Sequence, residues 1–201
     1  MRSVLISIRP YWVFLIIAKI MGWSIDKEKT VEVRKNYPKD KRWNKVVKIY
    51  CSKDKRSFSK IPKEYQPLME HFLGKVIGEF VCDTVVVDKT FGHDALFNAA
   101  ACMTDTEVAS YCLNAKMYGW HISNLVIYDR PFELRQFTVE GDCDCLNCRR
   151  CFWAEPGNGY NVEDDCGLPY EYMGTGKELK PLFRPPQSWC YVEEVNADAA
   201  T

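Results

Sequence analysis

The feature that most constrains this chain is a strict two-residue alternation at residues 29–35, KTVEVRK. In an extended chain Val31 and Val33 fall on one side, and Thr30, Glu32 and Arg34 on the other. A helix would scatter both sets around its circumference, so the segment reads as a strand with an apolar and a polar face. Two more β-type runs follow, VVKIYCS at 46–52 and GKVIGEFVCDTVVVD at 74–88. Gly78 inside the second marks a bulge or a close backbone approach, a common way to turn a barrel corner. Residues 3–8 (SVLISI) and 122–128 are further strands, and the segment from Arg184 to about Val195 closes the series.

Helices are fewer. Pro10 suits a first helical position, and the apolar run after it predicts a buried helix to about Met21, with Gly22 as its stop. A short helix is expected over 94–101. Thr104 and Glu107 form a capping box for another over 104–116, with Val108, Tyr111, Cys112 and Ala115 on one stripe. Residues 131–137 read as a helical turn, and 53–72 as a loop with some helix. The order is β, α, several strands, α, strands. It predicts an α+β barrel rather than a doubly wound sheet.

With 201 residues, 47% of them apolar, the chain suits one domain over 1–201. Its longest apolar run, Tyr11 to Ala18, is shorter than the roughly 20 residues of a membrane helix, and no cleavage-site pattern follows. The expectation is a cytoplasmic chain without a membrane segment or an evident protein partner. Residues 138–183 differ in character: Cys, Gly and acidic residues dominate and periodicity fades, as in an insertion before the last strand. The formal net charge is zero, but residues 27–60 hold thirteen basic against four acidic residues, while 138–171 hold eight acidic against two basic. That asymmetry fits an anionic partner for the basic half, or two solvated halves that attract each other.

Five of the ten cysteines, Cys51, Cys82, Cys102, Cys112 and Cys190, sit in strand or helix patterns as ordinary buried thiols. The others, Cys143, Cys145, Cys148, Cys151 and Cys166, crowd into the insertion. Cys145-x-x-Cys148-x-x-Cys151 brings three thiolates together, and Cys143 or Cys166 completes four, as in a structural zinc site. Free or redox-active thiols and disulfides are the alternatives. No histidine motif is present, and Gly174-Thr175-Gly176-Lys177 lacks phosphate-loop spacing.

In combination, several segments resemble the ASCH domain family. They are Leu5-Ile6-Ser7-Ile8-Arg9-Pro10 before a helix, Glu28-Lys29-Thr30-Val31-Glu32-Val33-Arg34, Ile49-Tyr50-Cys51-Ser52, and Gly74-Lys75-Val76-Ile77-Gly78-Glu79-Phe80. The resemblance covers about residues 3–137 plus the closing strand. It implies a PUA-like β-barrel with flanking helices and a cleft that binds RNA or modified nucleosides. It also implies two hydrolase alternatives, amidohydrolases on N4-acetylcytidine and ribonucleases. In the small amidohydrolase members a Lys acts with a Thr and a Glu. Lys29 matches that Lys. The Thr position, three residues on, is Glu32 here, with Thr30 adjacent, and Glu107 is a candidate for the later Glu.

Read as chemistry, Lys29, Thr30 and Glu32 are the catalytic candidates. Arg9, Lys29, Thr30, Glu32 and Arg34 are the ligand-binding ones. Arg34 offers a planar fork to a phosphate or base edge, and Glu32 can accept from an exocyclic amine. A plain ion pair on a strand face is the alternative. Lys39, Lys41, Arg42 and Lys45, interleaved with Tyr37 and Trp43, suit single-stranded nucleic acid, so Lys41, Arg42 and Trp43 join the ligand-binding set. A solvated loop is the competing reading there. The third possibility for the chain is a partner-binding module that acts through the Cys-rich insertion.

Overall fold

A computed structural model describes residues 3–38, 44–88, 94–112, 115–140 and 179–194. Lys39, Lys41, Arg42 and Trp43 lie outside these residues, as do Cys143, Cys145, Cys148, Cys151 and Cys166.

The apolar N-terminal run forms β1 (Ser3–Ile8) and leads through Arg9 into α1 (Pro10–Ile17). The helix ends four residues earlier than expected. Hydrogen-bonded turns continue to Gly22, whose φ of 67° is the left-handed conformation that glycine tolerates. The alternating segment is β2 (Val31–Arg34), followed by β3 (Lys45–Cys51). Because α1 carries the chain across, β3 returns parallel to β1, with Ile6 opposite Ile49. Two short helices, α2 (Lys55–Phe58) and α3 (Gln66–Glu70), precede β4 (Lys75–Cys82).

The long apolar run at 74–88 is two strands, not one. At Asp83 and Thr84 the chain leaves β4 and enters β5 (Val85–Asp88), which belongs to a different sheet. His121 holds that corner: its backbone N–H donates to Thr84 O at 3.0 Å, and its Nδ1 lies 2.6 Å from Asp83 Oδ1. Then come α4 (Ala95–Ala101), α5 (Asp105–Cys112), β6 (Met117–His121) and β7 (Ser123–Glu133). β7 runs through Pro131, where a helical turn was expected; only Leu134–Gln136 turn, as a 3-10 helix. β8 (Phe137–Glu140), β9 (Leu179–Pro181) and β10 (Trp189–Glu194) complete the described chain.

The strands form a seven-stranded sheet in the order β7-β4-β3-β1-β10-β8-β9 and a three-stranded sheet in the order β2-β6-β5. The architecture is therefore α+β as expected, but the described strands do not close into a barrel. The chain instead passes from one open sheet to the other at two corners, Asp83–Thr84 and Ile122. Gly78 acts as expected. The pairing register shifts beside it, and a Cβ there would stand 2.2 Å from Val126 O, so only glycine permits the approach of β7.

Packing on both faces of β1 explains why its sequence is largely apolar rather than alternating. Val4, Ile6 and Ile8 pack into one core with α1, and Leu5 into a second core on the opposite face. A third core, with Val31, Val33, Phe97, Ala101, Val108 and Met117, joins the small sheet to α4 and α5. Cys51, Cys82 and Cys190 are buried, and burial pushes their thiols up to about 12, 11 and 12. Cys102, expected to be buried, is only half-buried; it caps the C-terminal end of α4 in the left-handed conformation, φ 55°. Among the described residues no helix is long and apolar enough to cross a membrane.

Candidate functional site

The polar face of β2 is not a solvent face. Glu32 and Arg34 are 6% and 7% exposed, and Lys29, just before the strand, is 3% exposed. Opposite Glu32 in the small sheet stands the buried Trp120, and opposite Arg34 stands Tyr118. The three charges form one row. Arg34 Nη2 lies 3.0 Å from Glu32 Oε1, and Lys29 Nζ lies 3.5 Å from Glu32 Oε2. Each cation also donates to a backbone carbonyl: Arg34 to Ser7 O at 2.8 Å and Lys29 to Ala101 O at 2.9 Å. Lys29 Nζ sits 5.1 Å from the ring centroid of Trp12, within cation–π range.

Burial acts against the Lys29 charge. Desolvation lowers its pKa below the ordinary lysine value, and the carboxylate of Glu32 offsets this only in part.

This row lines a cavity of about 300 Å³, at the small end of ligand sites. Ser7, Ile8 and Arg9 from the end of β1 line it, with Trp12 on α1, Ser52 and Asp54 after β3, Met103 and Tyr111 around α5, and Gln187 before β10. Arg34 Nε and Ser52 Oγ have no hydrogen-bond partner among the described residues. Tyr111 hydroxyl lies 3.5 Å from Val33 O, and burial raises its pKa.

Lys29, Glu32, Arg34 and Arg9 thus come together. Thr30 does not join them, and it lines neither this cavity nor the one beside it. It stands one residue before the strand, and its backbone bridges α4 to the turn after β6: Thr30 N–H donates to Ala100 O at 3.0 Å, and its carbonyl accepts from Ile122 N at 2.9 Å. Glu107 is not in this cavity either. Its carboxylate accepts from Thr104 N–H at 3.0 Å, which is the capping box read from the sequence.

Trp12, Ser52, Met103, Tyr111 and Gln187 were not singled out from the sequence. Ser52 closes one of the segments resembling the ASCH family, so a signal for it existed. Trp12 and Tyr111 lie in apolar helical patterns that core residues share.

Beside the inner cavity, and sharing Arg9, Trp12, Asp54, Met103 and Tyr111 with it, is a second one of about 480 Å³. Near β2, Tyr37 packs on Tyr118 with ring centroids 4.7 Å apart, so that aromatic of the basic loop rests on the small sheet. No group of three or more metal-ligating side chains occurs among the described residues.

No family model and no curated protein matches the sequence. Solved structures do resemble the fold, among them three of the ASCH protein of Zymomonas mobilis. The crystal structure of a serine-to-alanine mutant matches at 15% identity and TM-score 0.49, over 98% of this chain and 92% of that one. The unmutated protein matches at 18% identity and TM-score 0.45, over 66% of this chain and 73% of its own. A tyrosine-to-phenylalanine mutant matches at 16% and 0.46, over 66% and 76%. These three structures are versions of one ASCH protein.

Proposed function

We propose that the protein binds RNA or a modified nucleoside in the cleft lined by Lys29, Glu32 and Arg34. The observation that carries this reading is the burial of three charged side chains in one row on a cavity wall. Buried ion pairs seldom repay their desolvation as stability alone, and perturbed groups in a cavity mark a site. A nucleobase matches what the wall offers. Its exocyclic amine suits a free lone pair of Glu32, its carbonyl suits Arg34 or Ser52, and its flat face suits Trp12 or Tyr111.

The test is a binding panel of single-stranded RNAs and free nucleosides, N4-acetylcytidine among them, across a salt series. Wild type should bind at least one class, and Lys29→Met should weaken that binding at least tenfold while the protein still melts cooperatively. Equal binding by the variant, or none by wild type at low salt, would sink the proposal. RNA binding should fall with salt through counterion release, and nucleoside binding should not.

A hydrolase reading has its own supporting observation, the lowered pKa of Lys29. A lysine that loses its proton more readily is a better general base near neutral pH. In such a reaction Lys29 Nζ takes a proton from water as the water oxygen attacks the acyl carbon, and returns it to the exocyclic nitrogen as the C–N bond breaks, so that the free amine and a carboxylic acid leave. Glu32, 3.5 Å away, stabilises the lysine cation that forms between the two transfers. Acetate release from N4-acetylcytidine by wild type, absent in Lys29→Met, would support turnover. Binding without release would leave a binding module.

A further inference from the structure

We propose that the outer cavity is a phosphate subsite, so that the ligand carries a phosphate next to the group held in the inner cavity. This rests on the nucleobase reading of the inner site. The two cavities adjoin, because Arg9, Trp12, Asp54, Met103 and Tyr111 line both. A free nucleoside would leave the outer one, of about 480 Å³, unused.

The outer wall holds three cations, Arg9, Arg56 and Lys60, against two acids, Asp54 and Glu107. The acids are committed elsewhere. Asp54 Oδ1 accepts from Ser57 N–H at 3.1 Å and caps α2, and Glu107 Oε2 accepts from Thr104 N–H at 3.0 Å and caps α5. The cations are not fixed in the same way. Arg9 meets Asp54 Oδ2 at 3.4 Å and Lys60 meets Glu107 Oε1 at 3.6 Å, both as open contacts with the cation 70% and 53% exposed. Such pairs are weak and yield readily to a more highly charged anion. Arg56 has no ion pair among the described residues, and it is exposed.

The wall also carries a hydroxyl donor. Ser57 is buried, and its Oγ accepts from Tyr11 N–H at 3.1 Å, which leaves its own proton for an acceptor in the cavity. Cations able to turn, a buried hydroxyl donor and carboxylates held back by helix caps are the chemistry that receives a phosphate. Tyr11, on the same wall, adds an aromatic face for a flanking base.

Calorimetric titration of the full chain at low salt tests this, with the four ribonucleosides and N4-acetylcytidine, their 5′- and 3′-monophosphates, dinucleoside monophosphates and inorganic phosphate as probes. For wild type we expect at least tenfold tighter binding of one phosphate-bearing form than of its nucleoside. In the Arg56→Ala/Lys60→Ala double variant that preference should fall toward unity, with nucleoside affinity unchanged. A preference for the dinucleotide over both monophosphates would identify an internal strand phosphate, and the reverse a terminal one. Nucleosides and nucleotides bound alike by wild type, or a preference surviving in the double variant, would overturn the subsite and leave the inner-site reading standing. Phosphate-bearing probes that bind through Arg56 and Lys60 while no nucleoside binds would uphold the subsite and overturn the inner-site reading. Binding of no probe, inorganic phosphate included, would overturn both.

Discussion

Two lysines, nearly equally buried, are treated in opposite ways by this fold. Lys29 is 3% exposed and Lys48 is 6% exposed. Burial alone disfavours the charge of both. At Lys29 desolvation wins and the pKa falls, because its ammonium has one carboxylate at 3.5 Å, one backbone carbonyl and the face of Trp12. At Lys48 the partners win and the pKa rises. Its ammonium donates to Glu79 Oε2 at 2.8 Å and to Tyr128 hydroxyl at 3.0 Å, and it pairs with Glu194. Tyr128 hydroxyl closes the network on Glu79 at 2.7 Å. The carboxylate of Glu79 responds in kind: burial raises its pKa, but the hydrogen bonds from Lys48 and Tyr128 outweigh that and lower it. The difference separates two uses of a buried cation. Lys48 ties β3, β4, β7 and β10 into one sheet, whereas Lys29 is held short of partners beside a cavity.

The sharpest way to break the contrast is to remove the carboxylate that Lys29 shares with Arg34. Glu32→Ala leaves two buried cations without a counter-charge, and urea unfolding should show a loss of about 3–5 kcal/mol. A loss below about 1 kcal/mol would mean that the row is hydrated and that the contrast is not one of burial.

Lys48→Met should cost less, about 1–3 kcal/mol, because Glu79 and Glu194 are 31% and 46% exposed and can turn to water. A cost matching that of Glu32→Ala would erase the distinction.

Alkaline pH should separate the pair by sign. A lysine pKa lowered in the folded state means that the unfolded chain binds the proton more tightly. Lys29 therefore makes stability rise with pH from its folded pKa up to the ordinary value of 10.5. Lys48, raised in the folded state, contributes stability that is full below 10.5 and is lost as pH climbs through its folded pKa. Stability measured against pH should therefore decline above 10.5 less steeply in Lys48→Met than in wild type, by up to about 1.4 kcal/mol per pH unit. Parallel curves would show that Lys48 does not gain its proton affinity from folding. Taking the difference between the two proteins removes Tyr11, Tyr50 and Tyr111, and making the same comparison in a Tyr128→Phe background removes Tyr128, which is bonded to Lys48.

The smallest effect on stability belongs to Lys29→Met. The methionine fills the space without needing a counter-charge, and Glu32 keeps Arg34 at 3.0 Å. Thermal unfolding should shift by less than about 1 kcal/mol equivalent. If this variant were as damaging as Glu32→Ala, Lys29 would be a structural lysine like Lys48.

Much of this was legible in the chain. The period-two pattern of Val31 and Val33 marks a core face, the Thr104–Glu107 spacing marks a helix start, and Gly78 marks a close backbone approach. Each of these signals is local: it depends on residues within a few positions of one another, and the structure has all three. The split of the 74–88 run was not legible, because two strands in different sheets look like one long apolar run when only a short corner divides them. Nor was the place of Thr30, which alternation assigns to the face of Glu32 and Arg34. Its backbone is captured by α4 and by the turn after β6.

By itself the sequence determined most of the element types, the apolar face of β2 and the charged side chains brought to its other face, because backbone periodicity and side-chain chemistry are properties of neighbours along the chain. Only the tertiary structure decided that this polar face is buried, that Trp12, Ser52, Tyr111 and Gln187 surround it, and that Lys29 is short of partners while Lys48 has several. Desolvation and ion pairing depend on what folding brings within a few ångströms, and the residues that decide them here lie up to about 150 positions away in the chain.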